Sequence, residues 1–222
     1  MHLSRRSVAF AAALAIALIG TRPSVVVAQL YVAVGATANF TSMGSGEFEF
    51  PGAGFGIAGQ ARVGRGWVSV GVGGMAMNFP IEAQSGNVDL TGVFIEPRLT
   101  IEGIDPDGQF TPYAFARAAW ASQEGVIDGT PLTGEARVIG GGAGGLLRVT
   151  PRISIDFGGS FSTVKLTERT FDSDPRPDES GGGFGAHIGA YLRFGGQAEV
   201  IELDRATERS RSRRRESARR PG

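Results

Sequence analysis

Eight short segments, in which apolar residues alternate with small or polar ones, recur along the sequence after residue 29. A period of two with one apolar face is typical of β-strands. Segments of about ten residues with this pattern fit strands that cross a bilayer at a tilt. The pattern therefore predicts an all-β fold with strands over residues 30–40, 54–63, 67–79, 88–101, 112–122, 136–150, 153–162 and 183–194.

Two of these segments show the alternation most clearly. Ile153, Ile155 and Phe157 alternate with polar and small residues, and a row from Phe184 to Phe194 does the same in the last segment. No long apolar helix follows the N-terminal region, so a closed barrel is the remaining way to span a membrane with every backbone group paired. We therefore predict an eight-stranded antiparallel up-and-down transmembrane β-barrel.

Composition narrows the possible functions. The chain has 35 glycines, which within strands suit tight curvature and close approach of neighbouring backbones. Its formal net charge is zero, which gives no indication of nucleic-acid binding. It has no cysteine, which excludes disulfides, thiolate metal sites and cysteine nucleophiles.

The N-terminal region has the pattern of a secretory signal peptide. Arg5 and Arg6 precede an apolar run that ends near residue 20, and Val26 and Ala28 fit the cleavage site. The run is too short for a membrane-spanning helix, which disfavours the alternative of an uncleaved anchor. We predict a signal peptide over residues 1–28, the general secretory route and a barrel over 29–194.

The connections predict the orientation of the barrel. Those after the second and sixth segments are very short, a modest turn over residues 105–108 follows the fourth, and the odd-numbered connections are mostly longer. Outer-membrane barrels have short periplasmic turns and longer external loops. We therefore expect the even-numbered connections and the N-terminus on the periplasmic side. In a regular strand Arg137 and Arg148 would point to opposite faces of the sheet. This pattern predicts a β-bulge between them, within residues 140–145.

The last segment carries a known assembly pattern. Residues 187–194 place polar His187, then Gly189, and then two hydrophobic residues one position apart, Leu192 and Phe194, with Tyr191 between the glycine and this pair. The order resembles the C-terminal recognition signal of bacterial outer-membrane proteins. That resemblance implies handling by the barrel assembly machinery.

The span from residue 29 to 194 resembles the small eight-stranded barrels of the OmpA, OmpX and opacity-protein type in its architecture and in the pattern of its strands. The resemblance implies a location in the cell outer membrane, contact with its lipid and lipopolysaccharide, and a monomer. In many relatives the terminal aromatic ends the chain, whereas residues 195–222 follow here and are charged. We predict a disordered periplasmic tail. The alternative is a basic segment that contacts anionic lipid or cell-wall polymers.

Charged residues on the small-residue faces are predicted to point into the lumen. Eight strands leave an interior just wide enough to be filled by side chains. Buried charges persist when they are paired. We predict a salt-bridge network that plugs the lumen, with a gated pore as the alternative. The expected members are Arg62, Glu96, Arg98, Arg117, Asp156 and Arg193, with His187 and Tyr191 also facing inward.

Catalytic and metal chemistry find little support in the sequence. Some small barrels act on lipid A with a His and Ser pair near the last strands, but Gly189 stands where the serine on the same face as His187 would be. The acidic residues Asp172, Asp174, Asp178 and Glu179 are better explained as a solvated loop than as a cation site. We predict no enzyme, cofactor or metal.

The predicted role is structural support of the envelope or surface adhesion through the external loops. A soluble periplasmic binder of apolar ligands, like a lipocalin, is the alternative. It would require the apolar faces to turn inward.

Overall fold

The computed structural model describes residues 30–46, 52–81, 86–101 and 108–195. The predicted signal peptide, residues 105–107 of the predicted turn and the tail after residue 195 lie outside these ranges. No helix in the described ranges is long and apolar enough to cross a membrane.

The described residues form strands that pair antiparallel with their sequence neighbours. The strands are β1 (Leu30–Gly46), β2 (Ala53–Arg65), β3 (Val68–Pro80), β4 (Gly86–Thr100), β5 (Phe110–Ile127), β6 (Thr130–Arg148), β7 (Ile153–Phe171), β8 (Asp174–Pro175) and β9 (Glu179–Gly195). Strand β9 pairs with both β7 and β1, which closes the sheet, and the two-residue β8 pairs only with the end of β7. The predicted all-β, eight-stranded antiparallel barrel is therefore confirmed.

The two ends of the barrel differ. Leu30 and Gly195 lie together at one end, which we call the terminal end. The opposite end carries the turn at Asp128 and Gly129 between β5 and β6, and we call it the hairpin end.

An apolar belt surrounds the half of the barrel nearer the terminal end. Its side chains point outward and stay exposed, as in Ile57 and Phe184, which are each 69% exposed. Along β9 the belt runs from Phe184 to Phe194. At about 3.4 Å per residue and a strand tilt of about 40°, that span is about 25 Å high, the height of the lipid-facing band of outer-membrane barrels.

Aromatic pairs mark the edge of the belt towards the hairpin end. The Phe40 and Phe55 rings lie 5.1 Å apart, and the Phe161 and Phe184 rings 5.2 Å apart. Rings at this level are typical of the interface between lipid and water. The exposed indole of Trp67 lies in the turn at the terminal end.

The direction of the apolar face reverses along single strands beyond this edge. In β4, Val93 and Leu99 face outward in the belt, whereas Val88 and Leu90 are buried inside and Asp89 is exposed. In β7, Phe161 is exposed, but Val164 and Leu166 beyond it are buried and Lys165 between them is exposed. The wall beyond the belt therefore presents a polar outer face, as a surface in water does.

The strands beyond the belt enclose an apolar core. We call residues 86–91, 121–138 and 163–181 the extension. The core fills the lumen there, and we call it the apolar plug. Its buried members are Phe79, Val88, Leu90, Ala121, Ile127, Leu132, Ala136, Val164 and Leu166, with Met43, Met75, Met77, Ile81, Val138 and Phe171 packed against them.

Several details of the prediction are wrong. The expected long loop after the fifth strand is a two-residue turn, because Asp128 (φ 49°) and Gly129 (φ 83°) both adopt positive φ and Ile127 pairs with Thr130. Positive φ at both central residues is the geometry of a tight hairpin, and Asp-Gly favours it. The expected alternation of short and long connections therefore fails, because only two residues join β5 and β6, whereas the longer segment 101–109 joins β4 and β5.

The predicted bulge lies elsewhere. Strand β6 pairs with β5 without interruption across residues 140–145, and the register shifts only between Thr133 and Glu135, opposite the part of β7 that includes Glu168 at φ 53°. Arg137 and Arg148 differ in parity because Arg137 faces outward beyond the belt, in register with Lys165, whereas Arg148 faces the lumen cavity. Charged residues of β6 therefore face the lumen inside the belt and face outward beyond it, which explains the opposite directions of Arg148 and Arg137.

A charge introduced into the belt should cost far more than one introduced beyond it. We expect Ile188→Arg, in mid-belt on β9, to lower the free energy of unfolding by about 2–4 kcal/mol. Thr91→Arg, on the polar outer face just past the belt, should change it by about 1 kcal/mol or less. Urea unfolding of the barrel in lipid vesicles measures both. Equal costs at the two positions would contradict the membrane assignment of the belt.

Candidate functional site

The centre of the predicted lumen network is the carboxylate of Glu96. Its side chain is completely buried and accepts hydrogen bonds from three guanidinium groups. Arg62 and Arg98 (3.0 Å) donate to Oε1, while Arg117 donates to Oε2 from Nε (2.9 Å) and Nη2 (2.5 Å). Three strands therefore meet at one carboxylate, since Arg62 lies on β2, Glu96 and Arg98 on β4 and Arg117 on β5.

Asp156 extends the network across the lumen. It lies on β7, is completely buried, and accepts a hydrogen bond from Arg98 on β4 at 3.2 Å. The Tyr113 hydroxyl donates to the other carboxylate oxygen of Asp156 and lies 2.9 Å from Nε2 of His187. Strands β4 and β7 are not sheet neighbours, so the contact between Arg98 and Asp156 crosses the inside of the barrel.

Neutral polar groups add to the coordination of Arg62. Its Nη atoms donate to Ser69 Oγ (3.0 Å) and Gln60 Oε1 (3.0 Å) in addition to Glu96. The Gln60 amide in turn donates to the Tyr191 hydroxyl. Buried charged groups persist when they are both paired and hydrogen-bonded, which is the arrangement found here.

Aromatic rings stack on the guanidinium groups. The Arg98 guanidinium carbon lies 3.7 Å from the centre of the Tyr113 ring, and that of Arg117 lies 4.7 Å from the Phe94 ring. Such contacts favour a cation in a desolvated site. Arg193, nearer the terminal end, lies over the Tyr31 ring at 3.8 Å.

Glycines on the inner face leave the room that these side chains occupy. A Cβ atom at Gly71 would overlap Gln60 Oε1 and the Arg62 guanidinium, and one at Gly144 would overlap the Tyr113 ring. Besides allowing strand curvature, these glycines therefore make room for large side chains, because the lumen of an eight-stranded barrel is narrow.

Residues of the predicted assembly pattern divide between the two faces of β9. Leu192 and Phe194 are exposed on the outer face, whereas His187, Gly189 and Tyr191 face the lumen. This placement is compatible with a recognition role for the outer pair, which stays a prediction.

His187 does not face the bilayer. Its side chain is buried in the lumen, against Tyr113 and with its ring edge towards Phe115 at 5.9 Å. An enzyme that acts on lipid at the bilayer face needs its base on the outer wall, so this position does not suit such a reaction.

The acidic residues near the hairpin end form ion pairs. Exposed Asp178 pairs with Lys165 at 3.3 Å, and buried Glu179 pairs with buried Arg169. Asp172 lies in the turn between β7 and β8 at positive φ. Within the described ranges, no group of three or more His, Cys, Asp or Glu residues is arranged to hold a metal ion.

The sequence interpretation missed Tyr113, Gln60 and Ser69 as partners of the charges. Tyr113 lies four residues before Arg117 on the same strand, so its inward direction follows from the parity. The pair of Arg169 and Glu179 was also missed, because both residues were assigned to an external loop and lie on β7 and β9 instead.

Comparison with solved structures supports the fold. The sequence matches no family model and no curated protein. Among solved structures it is similar to Neisserial surface protein A, with a TM-score of 0.53 and 15% identity over 74% of this chain and 97% of that one. Ail of Yersinia pestis (TM-score 0.45, 13% identity, 76% and 100% covered) and OprG from Pseudomonas aeruginosa (0.42, 8%, 75% and 96%) are also similar. The first likeness shows that the fold is that of a small outer-membrane β-barrel.

Removing the charge of Glu96 should destabilise the barrel strongly. Glu96→Gln leaves buried Arg62 and Arg98 and partly buried Arg117 without their shared carboxylate, so we expect the free energy of unfolding to fall by about 3–5 kcal/mol. Lys165→Gln removes an exposed ion pair and should cost about 1 kcal/mol or less. Urea unfolding midpoints in detergent micelles measure both. Similar shifts for the two variants would show that the network contributes no more than a surface pair.

Proposed function

We propose that this chain is a non-conducting outer-membrane barrel that presents a stiff, strand-built surface outside the cell for attachment. The observation that carries this proposal is the extension, in which the barrel wall continues past the apolar belt around a core of its own. A wall with paired strands and a packed interior holds its shape in water. Such a surface suits attachment through a fixed face.

The location and orientation follow from the polarity of the wall. The apolar belt requires a bilayer, and barrels of this fold are built for the outer membrane. The polar outer face of the extension requires water. We place the terminal end in the periplasm, as expected for a chain exported through an N-terminal signal, and the hairpin end outside the cell.

The interior is closed at successive levels. The Glu96 network crosses the lumen first, and Ala58, Phe94 and Ala119 form a buried cluster beyond it. The apolar plug then fills the extension. A hydrated ion would have to displace both paired charges and packed apolar side chains. This arrangement disfavours the gated pore, because exchange of ion pairs opens only the first of these levels.

The outward apolar belt also disfavours a soluble lipocalin-like binder. That alternative requires apolar faces turned inward throughout, whereas Ile57, Val93 and Ile188 are each at least 60% exposed on the outer wall. The extension has an inward apolar core of the kind that a soluble barrel has.

The outer face of the extension offers mixed charge and hydroxyl groups. Glu124, Glu135 and Arg137 are close on β5 and β6, since Ser122 pairs with Glu135 and Trp120 with Arg137. Thr133 and Thr170 share a hydrogen bond of 2.8 Å across β6 and β7. A stiff face with both signs of charge favours a polar partner over an apolar one.

The wild-type barrel should not conduct ions. In a planar bilayer we expect no current steps from the refolded protein, and none from Glu96→Gln, because the apolar plug still blocks the lumen. An open porin refolded in the same way serves as the positive control. Reproducible current steps from the wild type would overturn the non-conducting proposal.

Attachment should depend on the face of the extension. We expect expression of the protein to increase the retention of cells on glass and on polysaccharide-coated surfaces under flow, and the triple variant Glu124→Ser, Glu135→Ser, Arg137→Ser to lose most of that increase. Arg65→Gln, at the terminal end, is the control. Retention equal to that of cells without the protein would reject attachment. Increased sensitivity to detergent on deletion, with retention unchanged, would favour a purely structural role.

A further inference from the structure

A cavity of about 310 Å³ opens at the terminal end of the barrel. Residues of three separate turns lie at its mouth, namely Gly66, Gly108 and Pro151. Arg62 and Arg98 form its inner wall, so the cavity ends at the Glu96 network. Its volume is at the lower end of the range for small-molecule sites, which is about 300–1,000 Å³.

Four arginines line this cavity. Arg148 and Arg193 join Arg62 and Arg98, and no carboxylate side chain is among the lining residues in the part of the chain that the structure describes. Glu96 and Asp156, which contact Arg62 and Arg98 behind this wall, are shared among Arg62, Arg98 and Arg117. The described lining of the cavity is therefore cationic, and its low-dielectric walls strengthen its attraction for an anion.

The inner wall of the cavity is held in a fixed position. Arg62 and Arg98 are 4% and 2% exposed, and the Nε atom of each is buried without a hydrogen-bond partner among the described residues. Both side chains are held in place by the network, so little ordering is needed on binding.

The chemistry favours a phosphate group. Guanidinium groups bind carboxylates and phosphates through paired, charge-assisted hydrogen bonds. A phosphate monoester offers three terminal oxygens, so it can accept from several of the four arginines at once, whereas a carboxylate offers two. The remaining volume accommodates a small polar group attached to the phosphate.

We propose that the terminal-end cavity binds the phosphate group of a small phosphate monoester. In the orientation proposed above, it would draw this ligand from the periplasm or from the headgroups of the inner leaflet. The binding itself depends only on the lumen geometry and not on the attachment role.

Calorimetric titration of the full chain in an uncharged maltoside detergent tests the proposal. The probes are inorganic phosphate, glycerol 3-phosphate and a short-chain phosphatidic acid, with acetate for comparison. We expect saturable binding of phosphate and glycerol 3-phosphate and about tenfold weaker or no binding of acetate, since each tenfold step corresponds to about 1.4 kcal/mol. Binding of the short-chain lipid alone would reassign the ligand to a membrane headgroup and overturn the proposal of a small soluble ligand.

Variants at the mouth identify the site. Arg148→Gln lies away from the Glu96 network, and we expect it to weaken phosphate binding by about tenfold or more, because it removes a charge-assisted contact. Arg148→Lys should recover part of the loss. Arg65→Gln, at the same end but exposed on the outer wall, is the matched control and should bind as the wild type does.

Two outcomes would overturn the proposal. One is the absence of saturable heat with either soluble phosphate for the wild type. The other is equal phosphate affinity of Arg148→Gln and the wild type. Heat-modifiable gel mobility confirms that each variant has folded, so a loss of binding cannot be confused with a loss of the barrel.

Discussion

Closure of the sheet between β1 and β9 is the constraint on which the rest of this structure depends. In hydrocarbon no water is available to a backbone N–H or C=O group, so every strand in the bilayer needs a partner on both sides. The pairing from Tyr31 with Gly195 to Gly46 with Gly181 supplies the last of these partnerships. Once the ring is closed with only eight strands, alternate side chains must enter a narrow interior, and the composition of the inner face follows from the space available.

The inner face has a different composition towards each end of the barrel. Towards the terminal end, large charged and aromatic side chains line the lumen, and glycines opposite them leave the room, as Gly71 does for Arg62. Near the hairpin end, the same inner face is aliphatic. The charged part is stable only as a complete set, because removing one partner leaves the others buried without compensation. The aliphatic part has no such requirement and tolerates substitution in the way of an ordinary protein core.

The strands, their number and their inner and outer faces could be predicted because alternation is a local property of each segment. The inward direction of Glu96 and Asp156 followed from parity alone, but their partners did not, since which strands face each other across the lumen depends on closure and stagger. The ends of the strands were predicted poorly. Residues 123–135 were assigned to a loop because they are polar, yet their polarity belongs to a strand whose outer face is in water, and the Asp-Gly pair at its tip was overlooked. The reversal of the apolar face in β4 was present in the sequence, at Asn87 to Leu90 against Val93 to Leu99, but it contradicts the assumption that one face stays apolar along a whole strand.

The reversal of the apolar face has a mechanical consequence. Displacement of the barrel along its axis in the direction of the terminal end would draw Asp89 and Lys165 into hydrocarbon, and displacement in the other direction would lift Phe40, Phe161 and Phe184 out of it. Either shift raises the free energy, so the wall itself sets the immersion depth of the molecule. The height of the extension beyond the lipid is therefore fixed by the sequence of each strand, and its outer face stays at a constant level relative to the bilayer surface.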